Sequence, residues 1–327
     1  MKNHRAMNDK AVLVIDTVHP LLHQILLENN FIITEAYDWD KAKIIDQLPS
    51  YNGIVIRSRI KIDKEMIDAG KALKFIARFG AGMENIDVAY AKQKNIKCLH
   101  AAAGNKDAVA EHAIGMLLAL FNHLNRADKQ VRQYQWLREA NRGEELAGKT
   151  VAVIGYGNMG SAIVQRLQGF NVRVLVYDKY KQNFLSNHSW AEESSLQRIQ
   201  QEADVVSLHI PLTPETNGMI NGEWLGAFKK PFYLINTARG KILRTADALA
   251  LLNQNKILGM CLDVLEYEDT SFEHLNEQHQ NETIKALFNS DKVILTPHIA
   301  GWSHQSNVKL AQALFEAIDT CYQSSSL

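Results

Sequence analysis

The chain has 327 residues, 46% of them hydrophobic and 22% charged, which is the balance of a soluble globular protein and a length for about two domains. Lys+Arg and Asp+Glu number 36 each, so the formal net charge is zero and the electrostatic footprint of a nucleic-acid binder is missing. The opening MKNHRAMNDKAVLVID has no apolar run with a small-residue cleavage site, no stretch is long and apolar enough to span a membrane, and Cys98, Cys261 and Cys321 have neither paired nor metal-like spacing. No leader, no membrane, no metal and a reducing cytoplasm are therefore expected.

Taken in order, AVLVID (11–16) reads as a strand leading into the helical PLLHQILLENN. GIVIRS (53–58) leads into DKEMIDAG, and KFIARF (74–79) leads into NIDVAYAKQKN. This alternation predicts α/β architecture, a parallel sheet under helices with its strand C-termini on one edge, where ligands bind. In VIRSRIKI, Arg57 and Arg59 flank Ser58 on alternate positions of one strand end, which would point both guanidiniums to one side. Asn105 and Asp107 are candidate caps for a long, largely apolar helix over 108–133. A polar stretch, YQWLREANRGEELAGKT, follows.

A second strand–helix series starts at Val151 with VAVIGYG, and continues through VRVLVYD, DVVSLHIP, FYLINTA, LGMCLDVL and VILTPHIAG to a closing helix over 304–323. Its first turn is Gly155-Tyr156-Gly157-Asn158-Met159-Gly160, between a strand and a helix, with Asp178 at the end of the next strand, eighteen residues past Gly160. Gly155 permits the tight turn, Gly157 lets backbone N–H groups approach a pyrophosphate, and Gly160 lets the helix pack on the strand. A carboxylate at Asp178 suits ribose hydroxyls and repels a 2′-phosphate, so NAD is expected rather than NADP.

Three later strands end on chemistry. FYLINTARG ends on Arg239, whose fork matches a carboxylate. CLDVLEYED carries Glu268 and VILTPHIAG carries His298. A histidine can exchange a proton with a hydroxyl or alkoxide, and a glutamate on its other ring nitrogen favours imidazolium and fixes the tautomer. Taken singly, each has an ordinary explanation: a surface ion pair, a solvated loop acid, a histidine beside Pro297.

GYGNMG, NTARGK, DVLEYE and TPHIAG together resemble, in order and spacing, the D-isomer-specific 2-hydroxyacid dehydrogenases, over about Gly53 to Ser303. The resemblance implies two doubly wound parallel-sheet domains, a Rossmann-type NAD-binding domain (106–298) inserted in a flavodoxin-like substrate domain (1–105 plus 299–327). It implies that Arg239 binds the substrate carboxylate, His298 is the acid/base and Glu268 its partner. RFGAGMENID (78–87) is similar to the family's substrate loop, with Ala81 and Gly82 near the carboxylate and Asn85 and Asp87 holding the loop together. Pro211 and Thr216 fall in its cofactor loop, Thr237 and Ala238 are small so that the dinucleotide can lie close, and Asp263 resembles a carboxylate that contacts the nicotinamide amide. The stretch 121–146 resembles the dimerisation arm, so a homodimer is expected. One region departs from the pattern: a long polar, proline-free insert over 269–291 follows Glu268 where relatives often carry a proline and a short loop.

Within the family, Arg57, Ser58, Arg59 and Asn105 resemble the phosphate-binding part of D-3-phosphoglycerate dehydrogenases, which catalyse the first step of serine biosynthesis. The expected reaction is therefore 3-phosphoglycerate to 3-phosphohydroxypyruvate, and the regulatory domain appended to many such enzymes, with its serine feedback, is not expected. A glyoxylate or hydroxypyruvate reductase shares every catalytic motif. An NAD-sensing corepressor-like binding protein keeps the same residues. Formate dehydrogenases carry glutamine where Glu268 stands.

Overall fold

The computed structural model describes residues 10–185, 189–268 and 282–323. It divides into two compact units, one of residues 1–105 and 302–327 and the other of residues 106–301.

The first unit alternates β1 (Ala11–Val14), α1 (Pro20–Glu28), β2 (Ile32–Glu35), α2 (Lys41–Gln47), β3 (Gly53–Ile56), α3 (Lys64–Ala69), β4 (Phe75–Arg78), α4 (Val88–Gln93) and β5 (Lys97–His100). All pairings are parallel, in the order β2-β1-β3-β4-β5, the flavodoxin-like winding. GIVI and FIA are buried because helices cover both faces of a parallel sheet. β3 stops at Ile56, so Arg57, Ser58 and Arg59 lie in the bend beyond it and do not alternate as strand residues. This corrects the expectation that both arginines project to one side.

The second unit begins with α5 (Lys106–Phe121) and α6 (Leu124–Arg132). The single helix expected over 108–133 is thus two helices. His123 adopts a left-handed φ of 51° between them, in a turn that no glycine or proline announces. Then come β6 (Thr150–Ile154), α7 (Asn158–Leu167), β7 (Arg173–Tyr177), β8 (Ala191–Glu193), α8 (Leu196–Glu202), β9 (Val205–Leu208), α9 (Gly222–Gly226), β10 (Phe232–Asn236), α10 (Thr245–Asn253), β11 (Ile257–Leu262), α11 (Glu282–Phe288) and β12 (Val293–Leu295). The seven strands are parallel, in the order β12-β11-β10-β9-β6-β7-β8, with the winding reversing between β6 and β9. In this doubly wound sheet the crevice at that reversal is where a dinucleotide binds. Of the polar insert, residues 269–281 lie outside the described residues, and the remainder contains α11. The last helix, α12 (His304–Gln323), returns to the first unit and buries Leu310, Leu314 and Ile318 among β1, β3, β4 and α1.

Candidate active site

The glycine turn after β6 is built as close packing requires. Gly155 has φ +97°, and a Cβ on Gly160 would stand 1.9 Å from the Gly155 carbonyl oxygen. Gly157 is the residue before α7 and has open space where a side chain would project, so the N–H groups of Asn158, Met159 and Gly160 open the helix beside a clear approach. This cradle fits a dinucleotide pyrophosphate. Asp178, at the end of β7, accepts the Tyr156 N–H at 2.8 Å on one oxygen and the Tyr180 N–H at 2.9 Å on the other. The carboxylate therefore pins the glycine turn. The Thr216 hydroxyl is spent within its own loop, donating to the Pro211 carbonyl at 2.7 Å and accepting from Thr213 N–H at 2.8 Å. The Thr237 hydroxyl, by contrast, is buried with no hydrogen-bond partner among the described residues.

β10 delivers Arg239. Asn236, fully buried, accepts from Ala238 N–H and donates to the Arg239 carbonyl, which fixes the turn. Arg239 Nη1 donates to the Ala238 carbonyl at 2.6 Å. Gly240 is required there, because a Cβ would lie 1.9 Å from the Leu265 carbonyl oxygen. The turn carrying Arg239 thereby packs on the turn leading to Glu268.

The structure brings His298 and Glu268 together, with Nδ1 2.8 Å from Oε2 and both side chains largely buried. The other glutamate oxygen accepts the Leu265 N–H. His298 sits at φ 56°, a strained conformation for a residue with a side chain. What holds it there is Asp263, 1% exposed. Asp263 Oδ1 accepts from the Thr296 hydroxyl at 2.6 Å and Ile299 N–H at 2.8 Å, Oδ2 accepts from Ala300 N–H at 2.9 Å, and its carbonyl accepts His298 N–H at 2.8 Å. His112 of α5 joins the network, its Nε2 3.0 Å from the Thr296 hydroxyl. Sequence reasoning passed over His112 and Thr296, which lie 184 positions apart in the chain. Most of the Asp263 acceptor capacity goes to the histidine loop, and Oδ2 keeps room for one more donor.

In the first unit, Arg59 is not an open guanidinium. Its fork donates to the carbonyls of Ile15, Ala36 and Trp39, and its Nε lies 3.3 Å from Asp16 Oδ1. Asp16, which sequence reasoning did not single out, also accepts the Arg57 N–H. Arg57 differs: its guanidinium lies over the Trp302 ring at 4.7 Å, and no carboxylate among the described residues touches it. Arg78 Nε donates to the Arg57 carbonyl. Ser58 takes part through its carbonyl, which accepts from Asn85, and Asp87 caps α4, so both residues hold this loop. Gly80 turns at φ +156° ahead of Ala81 and Gly82. The Asn105 Oδ1 is buried without a partner among the described residues, so the cap expected of it is not formed.

This arrangement defines a nucleotide-dependent oxidoreductase site on a doubly wound sheet, and comparison with known proteins identifies which. Residues 114–300 match the model of the D-isomer specific 2-hydroxyacid dehydrogenase NAD binding domain. The chain belongs to that family, and its cofactor is NAD. It is 33% identical to the hydroxypyruvate reductase of Thermotoga maritima, over 90% of this chain and 92% of that one. It is 34% identical to a D-3-phosphoglycerate dehydrogenase of Synechocystis sp. over 96% of its own length, and spans about half (54%) of that relative. Among solved structures, D-lactate dehydrogenase from Aquifex aeolicus, complexed with NAD and lactic acid, superposes with a TM-score of 0.81 at 28% identity, covering 96% of each chain. No helix among the described residues is long and apolar enough to cross a membrane.

Proposed function

We propose that the chain is an NAD-dependent dehydrogenase of a D-2-hydroxy acid with an anionic distal group, 3-phosphoglycerate being the substrate that fits best, and that it serves the first step of serine biosynthesis. The observation behind this reading is the contrast between the two arginines. Asp16 and three carbonyls answer Arg59, while Arg57 keeps a guanidinium that no described carboxylate neutralises. An uncompensated fork suits a phosphate dianion. A hydroxy acid with a neutral side chain has no use for it.

In this reading Arg239 binds the substrate carboxylate. The Gly155–Gly160 turn would hold NAD, which would supply the hydride chemistry at the carbon bearing the hydroxyl. His298 takes the hydroxyl proton during oxidation and gives it back during reduction through Nε2, because Nδ1 is held by Glu268. Glu268 stabilises the imidazolium so formed and keeps the tautomer fixed. Residues 1–105 with the C-terminal helix are assigned to the substrate, and the protein is assigned to the cytoplasm as a homodimer.

The second reading, a hydroxypyruvate or glyoxylate reductase, is supported by the near end-to-end match to the Thermotoga maritima enzyme. Steady-state kcat/KM for phosphohydroxypyruvate, hydroxypyruvate, glyoxylate and pyruvate, each with NADH and NADPH, separates the two. The phosphorylated acid should lead by two or more powers of ten, since a charge-assisted pair contributes about 1.5–3 kcal/mol per hydrogen bond. Hydroxypyruvate in the lead would hand the assignment to the reductase. Tight NADH binding with no turnover of any acid would favour a binding protein. Arg239→Lys, which keeps charge and loses the fork, should cut turnover of every acid by orders of magnitude.

A further inference from the structure

We propose that Trp302 determines substrate specificity by acting as the platform that holds the Arg57 guanidinium in a single orientation for an anionic group. This rests on the assignment of Arg57 to the distal anion and names the residue that makes Arg57 selective. Trp302 stands four positions after His298, immediately beyond the TPHIAG motif, and it is 70% exposed, unusual for the largest apolar side chain unless that surface is used. Its ring is the contact that the structure shows for the Arg57 guanidinium, at 4.7 Å.

The chemistry of the two faces is complementary. A guanidinium stacks on an aromatic ring through its flat face, whereas its five N–H donors point outward in the plane. Stacking and bidentate anion binding therefore do not compete. An unstacked arginine would lose side-chain entropy on binding, and a platform removes much of that loss beforehand. The backbone under Arg57 is fixed as well, because Asp16 takes its N–H and Arg78 donates to its carbonyl. Asp16 spends its charge on Arg59, so the positive charge of Arg57 remains for a ligand.

The test compares Trp302→Leu, Trp302→Phe, Arg57→Ala and the Arg57→Ala/Trp302→Leu double variant in the full chain. The ratio of kcat/KM for phosphohydroxypyruvate over hydroxypyruvate should fall roughly 5- to 30-fold in Trp302→Leu, mainly through KM, with Phe restoring part of it. In the Arg57→Ala background the tryptophan change should lower the ratio no further. Equal losses for both substrates, or a loss that persists without Arg57, would show that Trp302 only supports the fold and would overturn the proposal. Should wild type show no preference for the phosphorylated acid, the assignment of substrate fails. The platform is then judged on inorganic phosphate as an inhibitor of hydroxypyruvate reduction. It stands if Trp302→Leu raises the inhibition constant only when Arg57 is present, and falls if the constant does not move.

Discussion

His209, at the end of β9, shows how one side chain with a buried, unpartnered ring nitrogen ties stability to pH. Its Nε2 is 2.8 Å from the Ser207 hydroxyl, and its carbonyl lies where a Cβ on Gly155 would collide, so it is part of the wall behind the glycine turn. Burial pushes its pKa down to about 4, against about 6.5 in an unfolded chain. Between these values the unfolded chain binds a proton that the folded chain refuses, so stability rises with pH across the window and is lost as pH falls. Thermal unfolding from pH 7 down to 4 should show a steeper decline for wild type than for His209→Gln, which retains a hydrogen bond to Ser207. Parallel curves would mean that the imidazole is not held neutral. Nothing in SLHIP announces this burial, because an isolated histidine at a strand end reads equally well as a ligand, a solvated side chain or a core group.

At the scale of elements, what was readable divides by how local its cause is. The parallel strands were legible because burial on both faces leaves unbroken runs such as VAVI and FYLI, and the glycine turn was legible because Gly155 bends the backbone at φ +97° and a Cβ on Gly160 would strike the Gly155 carbonyl, both within one strand–turn–helix. The break between α5 and α6 was not, since a left-handed histidine needs no breaker residue. Neither was the loss of Arg59 to three carbonyls, because those carbonyls belong to two other strand ends. The β11–β12 network is the most distributed case, joining α5, the Asp263 turn and the loop of His298. Asp263→Asn keeps one oxygen for Thr296 and Ile299 but sets an amide N–H₂ against the Ala300 N–H. A buried donor left without an acceptor costs about 1–3 kcal/mol, and the strained His298 backbone would relax first. Turnover should fall at least tenfold while NADH still binds, and the melting temperature should drop by several degrees. Full activity in Asp263→Asn would show that the loop does not depend on the carboxylate.

At the scale of the whole molecule, one segment is ordered without a core of its own. α6 and the turn at Glu139–Asn141 bury no side chain, yet they are cross-linked by hydrogen bonds from Arg126 to Asn141, from Asn141 to Gln130 and from the Gln135 backbone to Gln130. Tyr134 is 100% exposed and Trp136 77%, with Leu124, Val131 and Leu137 open beside them. A nine-residue helix is marginal in water unless something packs against it, and aromatic side chains grouped in this way are the usual content of an interface core. A second copy of the chain, seated on this arm, meets both needs. Light scattering should give twice 36.9 kDa at micromolar concentration, with a melting temperature that rises with protein concentration. Trp136→Glu would place a charge in the middle of that contact, where taking it out of water is costly. The variant should run as a monomer with a melting temperature that no longer depends on concentration. A wild-type mass of one chain, unchanged by Trp136→Glu, would leave the exposed arm without a partner of its own kind.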